Sequence, residues 1–218
     1  MTNNIIYLSY FLDSETPLYG GSKGIEIKPD RSIKNGDTAN TKKLALGNHS
    51  GTHIDFPNHF FDNGKFSHDY EASFWIFNAP FLVKLNAGEN ELISFNDNLL
   101  ESIPVETDFL ILKTGFGNIR SIEAYWNYNP GLHPSLASAL RLRCPNLRVI
   151  GMDFISVTSF QNREIGRTAH KEFLGSSPIL LVEDMDLSRL EESPRSLMCF
   201  PLMLNGADGA PVTVIAVL

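Results

Sequence analysis

Hydrophobic positions along this chain come in short bursts separated by polar stretches rich in turn-forming residues. Apolar, β-prone runs occupy residues 5–11, 25–27, 43–46, 80–85, 108–113, 148–152, 179–182, 197–204 and 212–217. Several are continuously apolar rather than alternating, which is the pattern of strands covered on both faces. Helical patterns are scarcer. Residues 95–103 begin with a capping option at Asn96 or Asp97, and residues 121–128 form a short candidate. The clearest helix covers 133–143. Pro134 suits its first position, Leu136, Ala137, Ala139 and Leu140 supply an apolar stripe, and Arg141 and Arg143 favour its C-terminal end. Residues 169–173 predict one more, stopped by Gly175. Long polar loops are expected at 13–24, 57–67 and 156–167. Strands interleaved with helices, with no internal repeat and no shift in composition, predict a single compact α/β domain over residues 1–218. Its expected core is a mixed, mainly β-sheet with flanking helices.

Composition narrows the partners. Of 218 residues, 43% are hydrophobic and 20% charged, enough for a sizeable buried core. The net charge of −7 comes without any block of like charge, which argues against nucleic acid or an anionic membrane as partner. The two cysteines, Cys144 and Cys199, stand in apolar settings and form no Cys-x-x-Cys pair. The start, Met1-Thr2-Asn3-Asn4, has no basic region leading into an apolar stretch, and the longest apolar runs are too short to span a bilayer. The expectation is a soluble, cytoplasmic protein acting on a small molecule.

The histidines change the picture. Four of the six (His49, His53, His59 and His68) fall within twenty residues, three of them in His49-Ser-Gly-Thr-His53-Ile-Asp55-Phe-Pro57-Asn-His59. A helix here would set His49 and His53 on one face, but Gly51 weakens it and Pro57 pushes Phe56 out of helical space. In an extended chain Gly51, His53 and Asp55 point to one side, with His53 and Asp55 about 7 Å apart. Two such side chains can converge on one ion. His49 would lie about 13 Å from His53 if the chain stayed straight, so a bend is expected at Ser50–Gly51. Pro57 would then turn the chain and bring His59 back over the site. Imidazoles with a carboxylate suit zinc, manganese or another borderline divalent ion. The competing reading is a solvated loop in which His49 and His59 are incidental. His68 lacks comparable neighbours and reads as a surface residue.

This segment, His49-x-Gly51-Thr52-His53-x-Asp55-x-Pro57-x-His59, resembles the signature of the metal-dependent cyclase family, to which bacterial kynurenine formamidases (arylformamidases) and isatin hydrolases belong. The resemblance extends along the chain. Leu8-Ser9 with Thr16-Pro17-Leu18-Tyr19-Gly20 resembles the family's N-terminal strand and aromatic loop, and Leu112-Lys113-Thr114-Gly115-Phe116 its central strand and Thr-Gly turn. Pro130-Gly131-Leu132, Gly151-Met152-Asp153, Ala169-His170 and Leu181-Val182-Glu183-Asp184 continue it. The resemblance implies His49, His53 and Asp55 as ligands of a first metal. It adds His170 and Glu183 to complete a one- or two-ion centre, His59 as catalytic acid/base, and Tyr19 as a substrate-pocket residue. It also implies the family's mixed-sheet fold and a homodimer or homotetramer. Read alone, Glu183 reads more readily as an exposed charge at a strand end, His170 is ambiguous, and Asp153 is at least as readily a turn residue as a functional one. The loops at Phe60-Phe61 and Phe160-Gln161-Asn162-Arg163 carry nothing that marks a kynurenine-type pocket, so the substrate is not carried over.

Three functions compete. The first is hydrolysis of an amide, an aryl formamide or cyclic amide, by water activated at the ion. The second keeps the ion but makes the enzyme a cyclase or dehydratase acting on a polar metabolite. The third is a non-catalytic binding protein stabilised by a structural ion. No Gly-x-Ser-x-Gly elbow, phosphate-binding glycine loop or His-Glu-x-x-His is present, which argues against serine hydrolases, nucleotide enzymes and zincin-type proteases.

Overall fold

The computed structural model describes residues 4–218; residues 1–3, part of the N-terminal stretch considered above, lie outside the described residues. Among the described residues thirteen strands occur in chain order. They are β1 (Ile5–Tyr7), β2 (Glu26–Arg31), β3 (Thr41–Ala45), β4 (His53–Asp55), β5 (Ile76–Phe77), β6 (Pro80–Lys84), β7 (Leu92–Ile93), β8 (Phe109–Lys113), β9 (Gly131–Leu132), β10 (Val149–Met152), β11 (Leu180–Glu183), β12 (Ser196–Pro201) and β13 (Gly209–Val217). The α-helices are α1 (Asp97–Ser102), α2 (Ala124–Asn127), α3 (Ser135–Arg143) and α4 (Arg163–Leu174).

Nine strands form one mixed sheet, ordered β5-β12-β13-β4-β11-β10-β8-β6, with β1 also pairing β13. On one side of it β6, β8, β10 and β11 run parallel. The remaining pairings are antiparallel, and β4 lies where the two regimes meet, between β11 and β13. The parallel strands are the continuously apolar ones. β10 and β11 are buried along their whole length, and Phe109 through Leu112 of β8 are fully covered, as both-face burial requires. By contrast β13 alternates, with Val212, Val214 and Ala216 inward. β2 and β3 form a separate exposed ribbon.

The helices correct the expectation in two places. The helix read as 169–173 runs from Arg163 to Leu174, so the second half of the supposed 156–167 loop is helical. Its outward residues Arg163, Glu164, Arg167 and Thr168 are polar, and its buried face starts with Gly166, so no apolar stripe shows until Ala169. The helix does end at Gly175. In α3, Pro134 sits at the N-cap, one residue before the first helical position. Asn96 caps α1 by accepting a hydrogen bond from the Leu99 amide. α3 packs on α4, and α4 on β11, so His170 is carried against the strand that ends in Glu183.

Candidate metal centre and active-site cavity

β4 is the spine of the site. Strand alternation sends His53 and Asp55 to one face and Ile54, fully buried, to the other. Register then sets Glu183 of β11 directly across from His53, and Gly209 of β13 across from Asp55. Before the strand the chain bends at Gly51, whose φ of +61° favours glycine; a Cβ there would also meet the Leu12 side chain at 2.3 Å. After it, Pro57 starts a 3-10 turn, Pro57–His59, that carries His59 back until its ring centroid lies 4.1 Å from that of His49. Gly209 makes room for His49, since a Cβ at this position would lie 2.3 Å from the imidazole Cε1.

Tautomers follow from the backbone. His53 Nδ1 is 2.8 Å from the Gly51 carbonyl oxygen, and His170 Nδ1 is 3.0 Å from that of Gly166. A carbonyl only accepts, so each Nδ1 carries a proton and each Nε2 is the nitrogen that takes a second proton or an ion. Those Nε2 atoms face carboxylates. His53 Nε2 is 3.6 Å from Asp55 Oδ1 and 3.4 Å from Glu183 Oε2; His170 Nε2 is 3.4 Å from both Asp55 Oδ2 and Glu183 Oε1. Four buried groups thus turn polar atoms toward one another, an arrangement that protons on the imidazoles or a shared cation would stabilise. With zinc bonds of ~2.0–2.2 Å, neighbouring ligand atoms of a tetrahedron stand about 3.4 Å apart, so the donor set and its spacing fit a divalent ion.

Asp55 is shared between two groups of possible ligands. One is His53, Asp55 and Glu183; the other is His49, Asp55 and His59. Glu183 is held by the Val157 amide at 2.7 Å and the Ser156 hydroxyl at 3.1 Å, both donating to Oε1. The same field acts on protons. At His49, burial opposes the imidazolium, but hydrogen bonds and charge from Asp55 and Asp208 outweigh it and push the pKa up to about 9. At His170, burial is likewise outweighed by Asp55 and Glu183, and the pKa rises to about 10. Burial would raise Asp55, yet hydrogen bonds from His170 and His49 hold it well below the usual carboxylate range.

One participant has no sequence signal. Asp208, in the turn before β13, places Oδ2 2.9 Å from His59 Nδ1 and 3.1 Å from His49 Nε2, and these contacts hold its pKa down at about 2 against partial burial. Its neighbour Gly209, the first residue of β13, leaves the space that the His49 ring fills. The next residue after Glu183 is also structural. Asp184, with φ +54°, receives both Nε and Nη2 of Arg120, at 2.7 and 2.6 Å, and the Tyr125 hydroxyl. Its carbonyl accepts a hydrogen bond from Thr52 just before β4. Of the two readings of Asp153, the structure favours the turn residue: it accepts from the amides of Thr114 and Gly115 and the Thr114 hydroxyl. His68 is half-exposed and outside the centre.

The centre opens into a cavity of about 600 Å³. Tyr19 forms part of its wall, edge-on to Phe160 at 5.2 Å between ring centroids, and Phe60 stacks on the His170 ring at 4.7 Å. Burial pushes the Tyr19 phenol up to about 12, partly opposed by Arg163, so it remains neutral at ordinary pH.

Comparison with known proteins agrees with this geometry. Kynurenine formamidase of Bacillus cereus is 28% identical over 217 residues, covering 98% of this chain and 97% of that protein. Cyclase-like protein 1 of Arabidopsis thaliana is 28% identical over 225 residues, covering 96% of this chain and 83% of that protein. Among solved structures, isatin hydrolase A from Labrenzia aggregata bound to benzyl benzoate superposes with a TM-score of 0.83 at 18% identity, over 99% of this chain and 93% of that one, which establishes the shared fold. The family model described as "Putative cyclase" matches residues 6–159, well over half of the chain, and includes the whole segment from His49 to His59. The chain belongs to the cyclase family.

Proposed function

We propose that this protein is a metal-dependent hydrolase that cleaves a carbon–nitrogen bond, other than a peptide bond, in a small amide such as an aryl formamide or a cyclic amide. The observation that carries this reading is the pair of buried carboxylates, Asp55 and Glu183, facing the Nε2 atoms of His53 and His170 at the floor of a cavity. Likeness to a kynurenine formamidase over nearly its full length supports amide chemistry. His49, His53, Asp55, His170 and Glu183 would hold one or two divalent ions, zinc or manganese, with Asp55 shared. The chemistry such an ion supplies when bound is Lewis acidity toward the scissile carbonyl and a lowered pKa for water.

His59 is the proton carrier. Asp208 engages its Nδ1, which fixes the proton there and leaves Nε2 to act as the base. Nε2 takes a proton from the attacking water as the C–O bond forms, then delivers it to the leaving nitrogen as the C–N bond breaks. One amide and one water thereby become one carboxylic acid and one amine. Tyr19 and Phe160 offer ring surfaces for a flat substrate, and Phe60 covers His170 from solvent.

The test combines an amide and lactam panel with elemental analysis. His59→Ala should retain metal and lose turnover, whereas His53→Ala should lose both. Undiminished rates in both variants would sink the assignment. Release of an elimination or cyclisation product instead of acid and amine would favour the lyase reading.

We also propose a homodimer or homotetramer in the cytoplasm. Phe11 and Met203, 86% and 96% exposed, border one groove together with Tyr7, Leu44 and Leu202, a grouping that suits burial against a second copy. No helix among the described residues is long and apolar enough to cross a membrane.

A further inference from the structure

Between β10 and α4 the chain has no regular structure, so residues 153–162 have no strand ladder or helix to fix their carbonyls. Asn129, which has no exposed surface and does not line the cavity, takes over that task. Its amide nitrogen donates to the carbonyl oxygens of Pro130, Ser156 and Thr158, at 2.8, 3.2 and 2.9 Å. Its oxygen accepts from the Phe160 amide at 3.1 Å. The carbonyl in between, that of Val157, accepts from the Leu132 amide at 3.0 Å. Three successive carbonyls, those of Ser156, Val157 and Thr158, are thereby tied to the stretch from Asn129 to Leu132.

The same three residues turn their other polar groups to the centre. The Ser156 hydroxyl and the Val157 amide donate to Glu183 Oε1 at 3.1 and 2.7 Å. The Thr158 hydroxyl oxygen lies 3.1 Å from His170 Nδ1, next to the Gly166 carbonyl that this nitrogen also meets. α4 is pressed against the segment at that point, since a Cβ on Gly166 would lie 2.4 Å from the Thr158 hydroxyl oxygen. One short segment therefore touches both proposed ligands that lie outside His49–His59. We infer that Asn129 is a positioning residue for the metal centre: it holds residues 156–158 from behind, and through them sets where Glu183 and His170 stand. This rests on the metal-centre reading and is independent of which bond the enzyme cleaves. Outer partners of this kind orient the ligands they touch and tune how tightly an ion is held.

The experiment titrates zinc calorimetrically into metal-free wild type, Asn129→Ala and Val83→Ala, and follows cobalt uptake by visible absorption. Asn129→Ala should raise the zinc Kd about 10–100-fold and alter the cobalt bands. Val83→Ala truncates a buried residue of β6, and should lower the urea midpoint while leaving zinc Kd and cobalt bands as in wild type. That separates lost stability from lost positioning. Ser156→Ala/Thr158→Val removes only the two hydroxyls that face the ligands, and should also raise the zinc Kd. Adding Asn129→Ala to it should raise the Kd by less than the product of the separate effects, because both act through the same contacts. The hydroxyl variant gives its answer even where Asn129→Ala does not fold. A wild-type zinc Kd and cobalt spectrum in Asn129→Ala, a wild-type Kd in Ser156→Ala/Thr158→Val, or fully multiplicative effects would overturn the inference. A wild type that takes up neither ion would sink the metal centre itself.

Discussion

Asp208 shows what a single residue can do when its neighbours are already fixed. Its carboxylate touches both His49 and His59, so it orients a proposed ligand and the proposed base at once. Partners of this kind are worth roughly 10–100-fold in activity or metal affinity, and Asp208→Asn should lower kcat within that range. Steady-state kinetics on metal-quantified protein checks this; an unaltered kcat would remove Asp208 from the mechanism. Its neighbour supplies a second prediction. Gly209→Ala would drive a Cβ to within 2.3 Å of the His49 ring and must displace it, so metal per chain should fall in elemental analysis. A variant with full metal content would mean the ring can yield without losing its role. Neither residue stood out in the sequence. Asp208 lies 149 positions from His59, and only the pairing of β13 with β4 brings them together.

At the scale of elements, the region around β4 works because neighbouring strands bring their ends to one place. The strut at Asp184 keeps that register: Arg120 and Tyr125 hold its carboxylate, and its carbonyl ties β11 to Thr52. Arg120→Ala would leave a 1% exposed carboxylate without its partner, and breaking a buried pair costs about 3 kcal/mol at the lower end of its range. Urea unfolding should show this loss. A change within error would mean that Tyr125 and water suffice. The strands themselves were largely legible, because β8, β10 and β11 are apolar throughout and burial on both faces demands that. α4 was legible only in its second half. Its polar face hid the first half, and that half carries Arg163 and Arg167, which line the cavity.

For the whole molecule, the proposed metal centre would link stability to metal. Asp55 and Glu183 repel each other when both are ionised and buried, and an ion bound only by the folded state adds stability by mass action. Raising free zinc from zero to 100 times its Kd should add about 2.7 kcal/mol, a rise of roughly 5–10 °C in Tm for a domain of this size. Thermal scans with and without chelator measure it, and an unchanged Tm would argue against a metal centre held by the fold. The exposed apolar groove makes a separate prediction at this scale. Light scattering should give a multiple of 24.3 kDa, and Phe11→Asp/Met203→Asp should shift the protein toward monomer.

What the sequence by itself determined is local. Within His49–His59, glycine, proline and strand alternation dictate a bend, a short strand and a turn, because backbone sterics act over a few residues. That was enough to place His53 and Asp55 on one side and to bring His59 back beside His49. His170 and Glu183 entered only through the family resemblance, since a lone histidine in a helix or a carboxylate at a strand end has no local mark of its partner. The tertiary structure decided which distant groups share that space. Strand order and register set Glu183 opposite His53, brought Asp208 to His59, divided the donors into two groups that share Asp55, and turned Arg163 and Arg167 into the same cavity. Those outcomes depend on hydrogen-bonded pairing and burial between segments far apart in the chain, which no short window of sequence encodes.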